Sequence, residues 1–141
     1  MKKIISVSLL FLFVVTFFTS TGIAADKNTK AAVSRSAKVE VYYFHFTRRC
    51  VTCQAVETES QKAIAALYPV QYKKGLVTFK SVNLDVKGSE VLASKCKVEG
   101  QALLVISGHK RIDLTDKGFM YAHSKPESLK EELKKTIDPL L

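Results

Sequence analysis

The chain has 141 residues, of which 22 are lysine or arginine and 13 are aspartate or glutamate, so its formal net charge is +9 at pH 7. This length fits one globular domain with a hydrophobic core of its own. The lysines are scattered rather than clustered, which favours a solvated basic surface and argues against a nucleic-acid partner.

The N-terminal 25 residues have the pattern of a secretory signal peptide. Lys2 and Lys3 form a positive start, an almost unbroken apolar run follows over 4–18, and mostly small residues suited to cleavage occupy 19–25. An uncleaved membrane helix is the alternative, and the shortness of the apolar run argues against it. The short Lys-Lys start is typical of bacterial signal peptides, and cleavage predicts a periplasmic or secreted protein that does not insert into the membrane.

The next segment, 26–37, is polar and rich in small residues, which predicts a flexible lead-in and leaves 38–141 for a single folded domain. The domain opens with the β-branched and aromatic stretch 39–46, which is typical of a strand. Apolar residues then recur at helical spacing from Cys53 to Leu67. This spacing predicts a helix with one buried face.

Two cysteines lie between that strand and that helix, in the motif Cys50-Val51-Thr52-Cys53. Their spacing allows a small disulfide, and Cys50 is expected at the helix N-terminus, where free N–H groups and the helix dipole favour a thiolate. The motif predicts a dithiol redox site with Cys50 as the nucleophile and Cys53 as the buried resolving thiol. Half of a metal site and a purely structural disulfide are the alternatives.

Three residues that precede Cys50 are candidates for shaping this site. Arg48 and Arg49 add positive charge that would stabilise the thiolate, unless they are simply a solvated loop pair. His45 is either a structural strand histidine or a nearby proton shuttle or ligand.

Cys96 is an odd third cysteine, and it leaves two interpretations open. It is either a buried small apolar residue, or it joins Cys50, Cys53 and His45 in a site for a soft metal. The first interpretation requires no cofactor beyond a redox-active disulfide between Cys50 and Cys53.

The middle of the chain predicts a second strand and a second helix. The stretch 76–85 is rich in Val, Phe and Leu, which indicates a buried strand, and a slip in its alternation allows a bulge at 81–83. A short helix is predicted over 89–96, capped by its first residue, with Val91 and Leu92 facing inward.

The last third of the chain predicts a hairpin and a helix. The apolar run 102–106 indicates a central strand covered on both faces, and 107–110 has hairpin-turn chemistry. A strand around 111–115 is predicted to end at Lys117-Gly118. Pro126 then opens an amphipathic helix through Ile137. The resulting order, β-α-β-α-β-β-α, implies an α/β domain with a mixed sheet and helices on both faces.

These features resemble the thioredoxin fold over about 38–141. The strand–CxxC–helix junction is one match, and the segment 82–85, followed by a short helix, Gly100 and the strand 103–106, is a second. The resemblance implies a single α/β domain with a central mixed sheet of about four strands. More narrowly, the stretch 42–53 resembles small exported thioredoxin-like proteins of the ArsF family of nitroreductase subunits.

The chain departs from the thioredoxin pattern at three places. Thioredoxins carry a cis-proline before the central strand, and that position is Ala102 here. They carry a buried acid as proton acceptor six residues before the first cysteine, and by count that position is Phe44. The dipeptide Val51-Thr52 between the cysteines also differs. These departures argue against broad peptide-disulfide exchange.

The motif and the resemblance together predict an exported thiol–disulfide oxidoreductase or redox partner that acts through Cys50 and Cys53. Its expected partner is a cell-envelope protein with a disulfide or a dithiol, and the chain itself is expected to be a monomer. The alternative is a non-catalytic thioredoxin-fold module that binds a soft metal or docks on a partner redox complex.

Overall fold

The structure, a computed structural model, describes residues 38–141. The predicted signal peptide (1–25) and lead-in (26–37) lie outside the described residues. The strands are β1 Val39–His45, β2 Val77–Asn83, β3 Ala102–Ser107 and β4 Lys110–Asp113. The helices are α1 Val51–Leu67, α2 Pro69–Lys73, α3 Ser89–Lys95, α4 Thr115–Tyr121 and α5 Pro126–Ile137, followed by a 3-10 turn, Asp138–Leu140.

The four strands form one mixed sheet in the order β2-β1-β3-β4. β1 pairs in parallel with β2 and antiparallel with β3, and β3 pairs antiparallel with β4. With helical connections after β1 and β2, a β3–β4 hairpin and a closing helix, this is the topology of the thioredoxin fold. The predicted fold class is confirmed.

The sheet separates two apolar layers, because alternate residues of a strand face opposite sides. On one face, Val39, Val41 and Tyr43 of β1 pack with residues of α1, α4 and α5. On the other face, Tyr42 and Phe44 pack with α3 and the segment that follows it. The CxxC helix therefore lies on the first face, and α3 lies on the second.

Several predicted elements are confirmed. α1 buries the expected apolar face, and it ends at Leu67 because the residue that precedes Pro69 is disfavoured in helical conformation. α5 begins at Pro126 and ends at Ile137. β3 is a central, buried strand, and the two-residue turn to β4 uses Gly108 at φ +58°.

Predictions for β2 and α3 need correction. β2 is an edge strand with mostly half-exposed or exposed side chains rather than a buried strand, and its register with β1 is unbroken, so no bulge occurs at 81–83. In α3, Val91 is 72% exposed and Ala93 is the buried residue. The cap is Gly88 rather than Ser89, whose hydroxyl donates to Leu84 O.

The predicted break at Lys117-Gly118 is wrong, because both residues lie inside α4. A Cβ added at Gly118 would lie 3.1 Å from Leu103 Cδ2 and 3.2 Å from Val56 Cγ1. Glycine is thus present for a close approach of α4 to the core, and it does not end the preceding strand, which already stops at Asp113. Within 38–141, no helix combines the length and the apolar character needed to cross a membrane.

Candidate functional site

Cys50 and Cys53 form a disulfide at the start of α1, with their Cα atoms 5.1 Å apart. Cys50 is the N-cap of the helix, and its Sγ accepts a hydrogen bond of 3.2 Å from the backbone N–H of Cys53. Cys50 is exposed, whereas Cys53 is only 4% exposed. The site therefore offers one sulfur to a partner and keeps the other inside, as a thiol–disulfide redox site requires.

The two predicted arginines have different environments. Arg48 is exposed, whereas Arg49 is half-buried and forms an ion pair with Glu57 of α1. Burial raises the pKa of Glu57, but hydrogen bonds from Ser81 and Arg49 and the nearby positive charges outweigh burial and hold this pKa below its ordinary value. Glu57 compensates the charge of Arg49, which weakens the expected effect of Arg49 on a Cys50 thiolate.

His45 is buried, 6% exposed, and hydrogen-bonded at both ring nitrogens. Its Nδ1 lies 2.9 Å from Phe46 O, and its Nε2 lies 2.9 Å from Ser81 Oγ. The ring also stacks on Tyr43, with 5.7 Å between centroids. Because His45 and Tyr43 alternate with the residues of the α3 face, both lie on the α1 side of the sheet.

Phe44 occupies the position, six residues before Cys50, where thioredoxins carry a buried acid. Its side chain faces away from the CxxC helix and packs in the α3 layer. A carboxylate on the CxxC side of the sheet comes instead from Glu57 of α1. Its negative charge acts on the Tyr43 hydroxyl. Burial raises the pKa of Tyr43 to about 12, with the Arg49 charge opposing this shift and the Glu57 charge adding to it.

Sequence reasoning missed Glu57 and Ser81. Glu57 follows Cys53 by four residues, so helical spacing alone places the two on neighbouring positions of one face. Ser81 carries no such signal, because its place beside His45 depends on the register between β1 and β2.

Ala102 begins β3 opposite Phe44 and is buried in the α3 layer. The backbone of 38–141 contains no cis peptide bond. The role of Ala102 in shaping the site stays a prediction.

Cys96 is a free thiol at the C-cap of α3, 5% exposed, and it packs in the α3 layer. Burial is the largest cause of its raised pKa. The sheet lies between Cys96 and the residues that pack around α1. Over the part of the chain that the structure describes, no three His, Cys, Asp or Glu residues are grouped as a metal ion needs. The four residues of the metal alternative are thus not brought together.

The chain thus combines the topology of the thioredoxin fold with a disulfide between an exposed and a buried cysteine at the first strand–helix junction. The sequence matches no family model and no curated protein. The narrower resemblance to the ArsF family has no support from these comparisons.

Among solved structures, thioredoxin O2 from Arabidopsis thaliana in the oxidized state is similar, with 18% identity over 74% of this chain and 76% of that chain and a TM-score of 0.47. A malarial protein is similar at 22% identity over 67% of this chain and 96% of that chain, with a TM-score of 0.42. Both similarities are distant, and nothing about the activity of this chain follows from them.

Proposed function

We propose that this chain is an exported thiol–disulfide oxidoreductase, or a redox partner, that acts through Cys50 and Cys53. The observation that carries the proposal is the asymmetry of the pair: Cys50 is exposed at the N-cap of α1, and Cys53 is buried one turn further on. A purely structural disulfide has no need of this asymmetry, whereas an exchange site depends on it.

In the reducing direction, the Cys50 thiolate attacks a disulfide of the partner and expels one partner sulfur as a thiolate. Cys53 then loses its proton and attacks Cys50 Sγ, which re-forms the Cys50–Cys53 disulfide and expels the second partner sulfur. The partner gains two electrons and this chain loses two. The reverse sequence oxidises a partner dithiol, and neither direction requires a further cofactor.

The signal-like N-terminus supports a periplasmic or extracellular location for the reaction, and the partner we expect is a cell-envelope protein with a disulfide or a dithiol. We expect the chain to act as a monomer. The nitroreductase-subunit role implied by the ArsF resemblance stays a hypothesis from one motif.

Replacing Cys53 with serine tests the proposal, because the variant can attack a partner but cannot release it. We expect Cys53→Ser to accumulate mixed disulfides between Cys50 and envelope proteins, seen as reductant-sensitive adducts on non-reducing gels. Combining each variant with Cys96→Ala removes the third thiol from the comparison.

The matched control is the Cys50→Ser, Cys53→Ser double variant, which keeps the same surface without the nucleophile. Adducts that are no more abundant in Cys53→Ser than in this control would contradict an exchange role. That result would favour the docking-module alternative.

A further inference from the structure

The face of the sheet opposite the CxxC helix is only partly covered by helix. α3 and β1 each have seven residues, but α3 is about 10 Å long and β1 about 23 Å, because a strand rises more than twice as much per residue. After Lys95 the chain returns toward Ala102, which lies opposite Phe44 at the far end of β1. The start of β1 therefore extends beyond the end of α3.

A cavity of about 250 Å³ lies between the end of α3 and the β3–β4 turn. Three apolar side chains line it, and we call them the apolar floor: Tyr42 of β1, Leu92 of α3 and Ile106 of β3. Tyr42 is buried and the other two are partly buried, and all three pack in the α3 layer. Pockets for drug-sized ligands measure about 300–1,000 Å³, so this cavity suits a smaller molecule.

Three lysines also line the cavity, and we call them the lysine rim. They are Lys95 at the end of α3, Lys97 shortly after it and Lys110 at the start of β4. All three are exposed, and none forms an ion pair with another residue of 38–141. Their positive charges are therefore available to a ligand.

The other titratable groups of the lining do not neutralise the lysine rim. Glu40 is the only acidic residue among the described residues that line the cavity, and its carboxylate already pairs with Lys38 Nζ at 3.1 Å and Lys80 Nζ at 3.2 Å. Cys96 adds no negative charge, because burial raises the pKa of its thiol and keeps it protonated at neutral pH. The cavity thus combines an apolar floor with uncompensated positive charge.

The backbone holds one charge of the lysine rim in a conformation that suits glycine. Lys97 has φ +55° and is the only non-glycine residue of the described chain with a positive φ. It follows the C-terminal end of α3, where glycine is favoured because it lacks a Cβ atom. Arg111 Nε donates a hydrogen bond of 2.8 Å to Cys96 O, which holds this segment against β4. The lining is thus fixed in place before any ligand arrives.

We propose that this cavity binds a small organic anion, whose apolar body contacts the apolar floor and whose anionic group pairs with the lysine rim. The chain's own segment before β1, 26–37, contains three basic residues and one acidic residue, so its charge does not complement the rim. The proposal is independent of disulfide exchange, because the sheet lies between this cavity and the CxxC helix.

Phenyl phosphate is the probe we choose, because it joins an aromatic ring to an anionic group in a small molecule. Titration of the oxidised, ¹⁵N-labelled protein, followed by nuclear magnetic resonance, measures the affinity and locates the site. We expect saturable shifts concentrated at the backbone amides of 95–97 and 106–111.

Two simpler ligands separate the contributions of the ring and the charge. Inorganic phosphate lacks the ring, and phenol lacks the charge, so each should bind at least ~10-fold more weakly than phenyl phosphate. Inorganic phosphate that binds as tightly as phenyl phosphate would overturn the proposal, because surface lysines alone would then be responsible. The absence of saturable binding by phenyl phosphate would overturn it as well.

Removing two charges of the lysine rim tests the site directly. The Lys95→Gln, Lys110→Gln variant should bind phenyl phosphate ~10-fold more weakly, because each partly exposed ion pair contributes a few-fold. The matched control, Lys73→Gln, Lys74→Gln, removes the same charge from two exposed lysines outside the lining and should bind as the parent protein does. An equal loss in both variants would overturn the site, because only the net charge would then matter.

Lys97→Gly separates binding from folding. Glycine adopts a positive φ without a steric penalty, so we expect this variant to unfold at a higher urea concentration than the parent protein. It should nevertheless bind phenyl phosphate more weakly, which a loss of structure could not explain. Affinity that is unchanged in Lys97→Gly and in the Lys95→Gln, Lys110→Gln variant would overturn the proposal.

Discussion

Arg48 and Arg49 are adjacent in the sequence, but their side chains have different environments and different electrostatic roles. Arg48 remains in solvent, where it contributes positive charge near Cys50 that salt screens. Arg49 joins the loop to α1 through Glu57, and both side chains of this pair are about three-quarters removed from solvent. The positive charge that acts on Cys50 therefore comes mainly from Arg48 and from the N-terminus of α1.

Replacing Arg49 with methionine should lower the free energy of unfolding by ~1 kcal/mol at neutral pH, because Glu57 then lacks its partner. The equivalent change at Arg48 should cost less than ~0.5 kcal/mol. Urea unfolding of both variants and the parent protein measures the difference. Equal costs at the two positions would mean that the ion pair contributes nothing.

The cost at Arg49 should also depend on pH. The folded-state pKa of Glu57 is lowered, so its stabilisation is present above the unfolded-state pKa, near 4.5, and is lost as pH falls through the folded-state value. The difference between Arg49→Met and the parent protein should shrink as pH falls below that unfolded-state value. Urea unfolding repeated at about pH 3 checks this.

Among the elements, α4 shows what a single sequence cannot reveal. Gly118 has the appearance of a breaker, and only the packing of α4 on Val56 and Leu103 explains it. The edge position of β2 could not be predicted from the sequence either, because its Val and Phe residues are equally suited to a central strand. By contrast, α5 and β3 were predictable, because a regular apolar period or run is a local property.

The residues of the candidate site also fall into two groups, those that local sequence predicts and those that depend on tertiary packing. Cys50 and Cys53 were found because the motif, the strand before it and the helix after it are contiguous in sequence. The partners of His45 were not, because Ser81 is 36 residues away and reaches it only through strand pairing.

Gly118→Ala should destabilise the fold, although alanine favours helix by ~1 kcal/mol over glycine. The new methyl group overpacks against Val56 and Leu103, both fully buried, and overpacking typically costs ~1–3 kcal/mol. We expect a net loss of about 1 kcal/mol, measured by urea unfolding.

A Val56→Ala background tests the cause of that loss. Removing the Val56 methyl groups opens space, so Gly118→Ala should cost less there than in the parent protein. The same cost in both backgrounds would show that packing against Val56 is not responsible.

At the scale of the whole molecule, stability comes from the two apolar layers rather than from the disulfide. The described domain has buried cores on both faces of its sheet, which disulfide-dependent small proteins lack. The Cys50–Cys53 bond closes a very short loop, so it removes little entropy from the unfolded chain. The site can therefore change oxidation state within one fold.

The Cys50→Ser, Cys53→Ser variant should consequently remain folded, with a loss of at most ~2 kcal/mol in the free energy of unfolding. Circular dichroism and thermal unfolding of this variant, compared with the oxidised parent protein, provide the measurement. A variant that is unfolded at room temperature would show that the disulfide is a structural bridge after all.

The placement of Cys96 behind the sheet has a further consequence for the covalent chemistry of the chain. A disulfide forms only when two cysteine Cα atoms come within about 7 Å. Cys96 is buried in the α3 layer, whereas Cys50 and Cys53 belong to the helix on the opposite face. The native disulfide therefore cannot shuffle onto Cys96 unless that layer opens. Mispaired isomers are therefore expected mainly while the chain is still folding, before the sheet separates Cys96 from the CxxC helix.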